Sequence, residues 1–139
     1  MKRFLFMVSV VSILSLAVSG NAFAADTKAV IKDIHWLGHD TFKVSGEKVI
    51  YTDPFKITKG DMADIILVTH EHYDHCSVED IKKIQGPNTV IVTPPSCAEK
   101  VKGNVKIVKR GETAVVSGVR IEVVPAYNVN KKFHPKEKD

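Results

Sequence analysis

Hydrophobic and polar residues alternate, or form short apolar runs, along most of the chain after residue 30. Runs that are rich in β-branched and aromatic residues and end at Gly, Pro, Asp or Ser are typical of β-strands. They predict strands at residues 30–36, 41–44, 48–52, 65–69, 89–92, 105–108, 113–116 and 119–124. Ser45-Gly46-Glu47 and Ser117-Gly118 are turn sequences between neighbouring strands. The run at 65–69 is continuously apolar, which indicates a strand buried on both faces.

Two segments between these strands carry helix signals. Ser77 is an N-cap residue with an acid three positions later, which predicts a helix over residues 78–84 that ends at Gly86. Pro95 opens a second short helix, which we expect to run through Lys100. The order strand, helix, strand predicts a parallel crossover, and therefore an α/β fold.

Residues 1–24 follow a different pattern. A short basic start precedes an apolar run over residues 4–20, and Ala22-Phe23-Ala24 is the small-residue pattern that signal peptidase recognises. We therefore expect a signal peptide cleaved after Ala24, a mature domain over residues 25–139 and a periplasmic or secreted location with no stable membrane anchor. The alternative is a retained anchor, for which the apolar run is slightly short.

The charge of the chain gives little support to a nucleic-acid partner. The formal net charge is +4, and cleavage of the signal peptide would remove Lys2 and Arg3 and halve it. The remaining lysines are scattered, few aromatic residues accompany them, and no nucleic-acid motif is present. We expect no nucleic-acid binding and consider a small-molecule substrate instead.

The densest chemical signal is an H-x-H-x-D-H cluster directly after the apolar run at 65–69. It supplies four metal ligands, His70, His72, Asp74 and His75. Alternate side chains of an extended segment share a side, so the first two histidines can reach one ion. A turn at the intervening tyrosine can direct the other two ligands toward a second ion. Imidazole and carboxylate suit Zn²⁺ first, as one or two ions, with Fe or Mn as alternatives. Asp74 is also the candidate catalytic residue.

These residues and their placement closely resemble the metallo-β-lactamase-fold hydrolases, whose defining motif is the same H-x-H-x-D-H. The segments Ile-His-Trp-Leu-Gly-His at 34–39, Ile-Tyr-Thr-Asp-Pro-Phe at 50–55 and Val-Val-Pro-Ala-Tyr at 123–127 resemble the ascorbate-6-phosphate lactonase-like branch. The resemblance implies the N-terminal half of an αββα sandwich, with a mixed β-sheet and helices on one face. The family's later elements, including a metal-bridging Asp and a further metal-binding His, have no counterpart in this sequence.

The resemblance also suggests roles for residues outside the motif. Asp53 corresponds to an aspartate that steadies a metal-binding histidine from behind, although an ordinary turn is the alternative. His39 lies in a turn that resembles a site-facing loop. Asn128 occupies the place where the hydrolases usually deliver a third histidine, and an amide is a poor zinc ligand. His134 could supply the missing imidazole from a loop; an exposed tail histidine is the alternative.

The two cysteines, Cys76 and Cys97, lie near the ends of neighbouring predicted strands. We expect two separate thiols, because strand-end loops seldom present the Cα spacing of about 5.5 Å that a disulfide needs. A disulfide is the alternative, and the oxidising surroundings of an exported protein would favour it. Coordination of a metal by Cys76 is a third interpretation.

We therefore predict an exported, metal-dependent hydrolase, with zinc as the expected metal. Catalytic zinc normally has three protein ligands and a water, whereas the motif alone gives each of two ions only two ligands. Turnover by this chain is therefore in doubt. The alternatives are a non-catalytic metal-binding or ligand-binding protein on the same scaffold, or an inactive fragment. Half of a sandwich would expose an apolar face, so we expect a homo-oligomer or pairing with a missing C-terminal half.

Overall fold

The computed structural model describes residues 31–134. The elements of this part of the chain are β1 (Ile34–Gly38), β2 (Thr41–Ser45), β3 (Val49–Thr52), β4 (Ala63–Leu67), α1 (Val78–Ile84), β5 (Gln85–Thr93), α2 (Pro95–Ala98), β6 (Asn104–Ile107), β7 (Thr113–Val116) and β8 (Val119–Glu122). The expected signal peptide lies outside the described residues, as does Val30, the predicted start of the first strand. Neither helix within residues 31–134 is long and apolar enough to cross a membrane.

Six strands form one mixed sheet in the order β1-β2-β3-β4-β5-β6, and β7 and β8 form a separate hairpin. The pairs β1–β2 and β2–β3 are antiparallel, whereas the three pairs from β3 to β6 are parallel. Strand β4 lies inside the sheet, and its Ile65 and Ile66 are both fully buried although they point to opposite faces. The mixed α/β architecture predicted from the sequence is therefore confirmed.

Helix α1 begins where the sequence predicts it. The Ser77 side chain accepts a hydrogen bond of 3.3 Å from the backbone N–H of Asp80, as an N-cap residue does. The predicted stop at Gly86 is wrong, because the chain passes from α1 directly into β5. Gln85 already pairs with Ala63 of β4, and this ladder contact makes β5 longer than its apolar run suggests.

The buried side chain of Asp80 fastens the loop between β3 and β4 to α1. Its carboxylate accepts hydrogen bonds from the backbone N–H groups of Lys56 and Ile57, at 2.9 and 3.2 Å. It also accepts hydrogen bonds of 2.7 Å from both Ser77 and Lys83. Burial raises the pKa of Asp80, but these hydrogen bonds outweigh burial and hold the pKa below its ordinary value. The carboxylate is therefore charged at neutral pH, and it satisfies backbone donors that the loop cannot pair itself.

The two faces of the six-stranded sheet are covered by different elements. Both helices pack on one face, where Ile66, Ile81 and Ile91 form part of the core with at most 1% of their surface exposed. The β7–β8 hairpin packs on the other face, where Ala114 and Val116 join Ile65 in a second core. The helices thus lie on one face of the sheet, as predicted.

Among the described residues, the β7–β8 hairpin leaves uncovered the β1–β2 end of the sheet face on which it packs. Ile34, Trp36 and Phe42 of β1 and β2 lie on that face, because the strand registers align them with Ile65 and Leu67. Their exposed fractions are 44%, 67% and 40%. We call these three residues the open face. It continues the apolar surface of the second core to β1, the edge strand of the sheet.

The prediction of two separate thiols is wrong. Cys76 and Cys97 form a disulfide, with their Cα atoms 6.1 Å apart. Helix α2 ends at Ala98, before the predicted Lys100, and presents Cys97 toward the loop that follows β4. The sulfur of Cys76 is in the disulfide and is not available as a thiolate, so Cys76 does not act as a metal ligand. A cross-link over 21 residues stabilises the fold by roughly 3 kcal/mol on chain-entropy grounds, and it anchors the end of the histidine loop.

Candidate metal centre

The predicted ligands gather where two parallel strands end. Asp53 follows β3, and the loop with His70 follows β4, so both lie at the carboxyl edge of the sheet, where α/β folds build their sites. The loop turns after His72, whose carbonyl oxygen accepts hydrogen bonds from the backbone N–H groups of His75 and Cys76 at 3.0 and 2.7 Å. This is the turn that the sequence predicts after the second histidine.

Three histidines come together on one side of this loop. Ligand atoms of His70, His72 and His134 all lie within 4.8 Å of one another. The ring centroid of His134 is 4.5 Å from that of His70 and 4.6 Å from that of His72. We call these residues the three-histidine group. A set of three imidazoles is the protein ligand set of many catalytic zinc sites, in which water takes the fourth position.

Asn128 does not join this group but holds the turn that presents His134. Its backbone N–H donates a 2.7 Å hydrogen bond to the carbonyl oxygen of His134. Its side-chain amide donates a second, of 2.9 Å, to the carbonyl oxygen of Phe133. Asn128 therefore closes the turn that brings His134 to His70 and His72.

The buried Asp53 sets the orientation of two imidazoles. Its carboxylate accepts hydrogen bonds from the Thr69 hydroxyl at 2.6 Å and lies 2.9 Å from Nδ1 of His75. Because the Thr69 hydroxyl gives its one proton to Asp53, its oxygen accepts from Nδ1 of His70, 3.0 Å away. Both histidines therefore carry their proton on Nδ1 and leave the lone pair of Nε2 for a metal ion.

The charge state of His70 also suits metal binding. Burial lowers the pKa of His70, and the neighbouring imidazoles of His75, His134 and His72 lower it further, although Asp53 acts in the opposite direction. The side chain is therefore neutral at neutral pH, and neutral imidazole is the form that binds metals. The three imidazole donors, together with the tautomer and charge of His70, fit a zinc ion.

The remaining predicted residues form a second cluster beside the first. His39 lies in the turn between β1 and β2, and its Nε2 is 3.4 Å from a carboxylate oxygen of Asp74. Its Nδ1 is 3.2 Å from Asp40, which in turn lies 3.6 Å from Nε2 of His75. Ligand atoms of His39, Asp40 and His75 all lie within 4.8 Å of one another. Of the two residues predicted to share an ion, His75 belongs to this cluster, and Asp74 lies beside it.

Two features of the centre are absent from the sequence-based prediction. Asp40 follows His39 directly in a two-residue turn between strands, a position that could have marked it as site-facing. Lys100 donates a 2.8 Å hydrogen bond from its side chain to the carbonyl oxygen of Glu71, and so holds the histidine loop against the end of α2. No sequence motif marks this lysine, because the contact depends on how β5 and α2 pack.

Comparisons with known proteins agree with this geometry. The family model described as the beta-lactamase superfamily domain matches residues 33–139. A UPF0173 metal-dependent hydrolase of Methanoculleus marisnigri is 36% identical in an alignment of 96 residues that covers 66% of this chain and 41% of the relative. One from Pyrococcus abyssi is 35% identical over 108 residues, which cover 68% of this chain and 48% of the relative.

A solved structure shows the same fold. The crystal structure of a protein described as a metal-dependent hydrolase from Parabacteroides distasonis superposes with a TM-score of 0.65 at 32% identity, and the match covers 71% of this chain and 47% of that one. The chain thus spans about half the length of the relatives that it matches. The family model, by contrast, covers most of the chain, including the strands, the H-x-H-x-D-H loop and the turn with His134. The chain therefore belongs to the beta-lactamase superfamily.

Proposed function

We propose that this protein is a metal-dependent hydrolase that holds a zinc ion in the three-histidine group. The observation that carries the proposal is the convergence of His70, His72 and His134, which provides the three protein ligands that catalytic zinc requires. The sequence motif alone provides two ligands for this ion. The third would come from His134, in a turn about sixty residues later, and its place beside the other two imidazoles supports the proposal of a three-ligand site.

The chemistry follows from this ligand set. A zinc ion bound there would lower the pKa of a coordinated water toward neutrality and polarise a carbonyl or phosphoryl oxygen. Asp74 lies in the same loop, half-buried, with its carboxylate near His39. We assign it to accept the proton of the attacking water, as a general base. Hydrolysis of a small-molecule ester, lactone, thioester or phosphodiester is the outcome that this arrangement favours.

We propose a lactone as the substrate class from sequence resemblance. The segments at residues 34–39, 50–55 and 123–127 resemble the ascorbate-6-phosphate lactonase-like branch, which makes a lactone the first substrate to test. Metal-dependent hydrolase is the description that the relatives share. Iron or manganese would fit the same imidazole ligands, and zinc is the first choice because three imidazoles match its preferred set.

Turnover is tested with zinc-loaded protein and a panel of chromogenic lactones, thioesters and phosphodiesters. We expect hydrolysis of at least one class, and we expect Asp74→Asn to lower kcat by at least about a hundredfold, the usual effect of losing a general base. Asp61→Asn is the matched control, because Asp61 is an exposed carboxylate that pairs with Lys43 away from the centre. Zinc binding without hydrolysis of any substrate would instead support the non-catalytic binding protein.

We further propose that the protein is exported to the periplasm or the medium. The signal-peptide pattern of residues 1–24 supports this location, and so does the disulfide, because structural disulfides are rare in the cytosol. The expected product is a chain that begins at Ala25 with no thiol reactive toward alkylating reagents. N-terminal sequencing and mass analysis after alkylation measure both. A membrane-bound chain that still begins at Met1, or two alkylated cysteines, would overturn the proposal.

A further inference from the structure

A cleft opens on the helix-covered face of the sheet, beside the loop between β3 and β4. Its volume is about 440 Å³, within the range of roughly 300–1,000 Å³ that is usual for sites of small molecules. Lys43 and Tyr51, which lie opposite each other on β2 and β3, line it from the sheet. Leu37 and Ile57 add apolar surface. None of the described residues that line the cleft belongs to the histidine clusters of the metal centre.

The first part of this loop is held in a fixed conformation. Asp80 accepts hydrogen bonds from the backbone N–H groups of Lys56 and Ile57. Lys83 donates a 3.1 Å hydrogen bond to the carbonyl oxygen of Ile57. Lys56 has a φ angle of 49°, a left-handed conformation that is uncommon outside glycine and often occurs at functional sites. This wall of the cleft is therefore formed before any ligand binds.

The end of the loop approaches the sheet closely. The hydroxyl of Tyr51 donates a 3.2 Å hydrogen bond to the carbonyl oxygen of Asp61. Burial raises the pKa of Tyr51, so the hydroxyl keeps its proton and remains a donor at neutral pH. A Cβ atom on Gly60 would lie 2.6 Å from the Tyr51 hydroxyl oxygen, so a glycine is needed for this approach. These contacts fix the end of the loop against β3.

The cleft carries an excess of positive charge. Its lining contains one carboxylate, that of Asp61, and three lysines, which are Lys43, Lys56 and Lys59. Lys43 pairs with Asp61. Within residues 31–134, neither Lys56 nor Lys59 forms a salt bridge, and the ammonium of Lys56 lies 5.1 Å from the centroid of the Phe55 ring. Two ammonium groups without a counter-charge, beside apolar surface, favour an anion that also has an apolar part.

We propose that this cleft binds a small organic anion, with a carboxylate or phosphate group on an apolar body. The ammonium groups of Lys56 and Lys59 bind the anionic group, and Leu37 and Ile57 contact the apolar part. The site needs neither zinc nor turnover. Failure of the proposed hydrolysis would therefore leave it standing, and its own failure would leave the three-histidine group standing.

The test is a titration of the purified, isotope-labelled chain with benzoate and with phenyl phosphate, followed by NMR. We expect at least one of the two probes to shift the amide signals of residues 56–61 along a saturable curve, in zinc-loaded and metal-free protein alike. Benzamide has the same ring without the charge, so it should bind at least about tenfold more weakly. Added salt should weaken binding of the anion, because it screens the exposed lysines.

Variants of the two unpaired lysines identify the site. An exposed ion pair contributes at most about fivefold to binding, so Lys56→Gln combined with Lys59→Gln should weaken binding of the anion by at least about tenfold. Lys82→Gln combined with Lys106→Gln is the matched control, because these exposed lysines of α1 and β6 lie outside the cleft and the same charge is removed. The control should bind as the wild type does.

Three results would overturn the proposal. One is equal affinity for benzoate, phenyl phosphate and benzamide. Another is equal weakening in the two double variants, which would indicate an effect of net charge alone. The third is a set of shifts confined to the histidine loop, which would place the anion on the metal centre. The unliganded spectrum of each variant shows whether it is folded, and the single substitutions replace a double variant that is not.

Discussion

Replacing His134 by Ala should lower the affinity of the three-histidine group for Zn²⁺ by at least about a hundredfold. Substitution of a residue that only supports a metal ligand costs about 10–100-fold, and loss of a ligand itself should cost at least the upper end of that range. His72→Ala should have an effect of similar size, because both imidazoles belong to the same ligand set. Competition against a chromophoric chelator measures the affinity.

Asn128 offers a graded comparison within the same experiment. Asn128→Ala removes the side-chain hydrogen bond to the carbonyl oxygen of Phe133 but leaves every imidazole in place. We expect a loss of about tenfold in zinc affinity, smaller than that of His134→Ala, because the turn is loosened and the ligand is retained. His35→Ala, at an exposed histidine of β1 outside the three-histidine group, should leave the zinc affinity unchanged. Equal affinities for the wild type and His134→Ala would show that this histidine is a bystander.

The open face should make the chain self-associate. Burying a large apolar side chain is favourable by roughly 1.5–3 kcal/mol, and Ile34, Trp36 and Phe42 are exposed together beside an edge strand. We propose that a second copy of the chain covers this face when the chain is purified alone. Sedimentation velocity over a wide concentration range should show a dimer or larger species.

Variants of the open face test that proposal. The double substitution Ile34→Thr and Phe42→Thr introduces a polar, β-branched residue that is compatible with a strand. It should raise the dissociation constant of the self-associated species by at least about tenfold. Val115→Thr is the control, because Val115 is 71% exposed on β7 and lies outside the open face. A wild-type chain that remains a cooperatively melting monomer at every concentration would contradict the proposal. The double variant avoids Trp36, which also braces the His39 turn.

Local signals in the sequence explain much of the fold. Ser77 caps α1 as its side-chain chemistry predicts, and the apolar run in β4 is buried on both faces of the sheet. The sequence-based prediction misplaced the ends of elements where a tertiary contact determines them. Gly86 is a helix stop by local preference, but the pairing of Gln85 with Ala63 draws it into β5. Strand pairing outweighs the local signal there because each ladder hydrogen bond satisfies a buried backbone group.

The residues of the candidate metal centre could also be predicted only in part from the sequence. The ligands of the H-x-H-x-D-H loop can be recognised from the sequence because they are adjacent in the chain. The meeting of His39 with His75 depends on the registers of β1, β2 and β3, and the Cys76–Cys97 disulfide depends on the place of α2 at the end of β5. The sequence supplies the residues for these contacts but no measure of their distance. Long-range geometry of this kind follows only from the packed sheet.

The central claim is that His70, His72 and His134 together hold one zinc ion. Anomalous diffraction at the zinc edge, from crystals of the protein loaded with one equivalent of Zn²⁺, tests it most directly. We predict a single strong anomalous peak with a nitrogen of each of the three imidazoles at about 2.0–2.1 Å from the ion, the usual zinc to histidine distance. A peak bound by other residues, or a three-histidine group without an ion while zinc is present in the crystal, would contradict it.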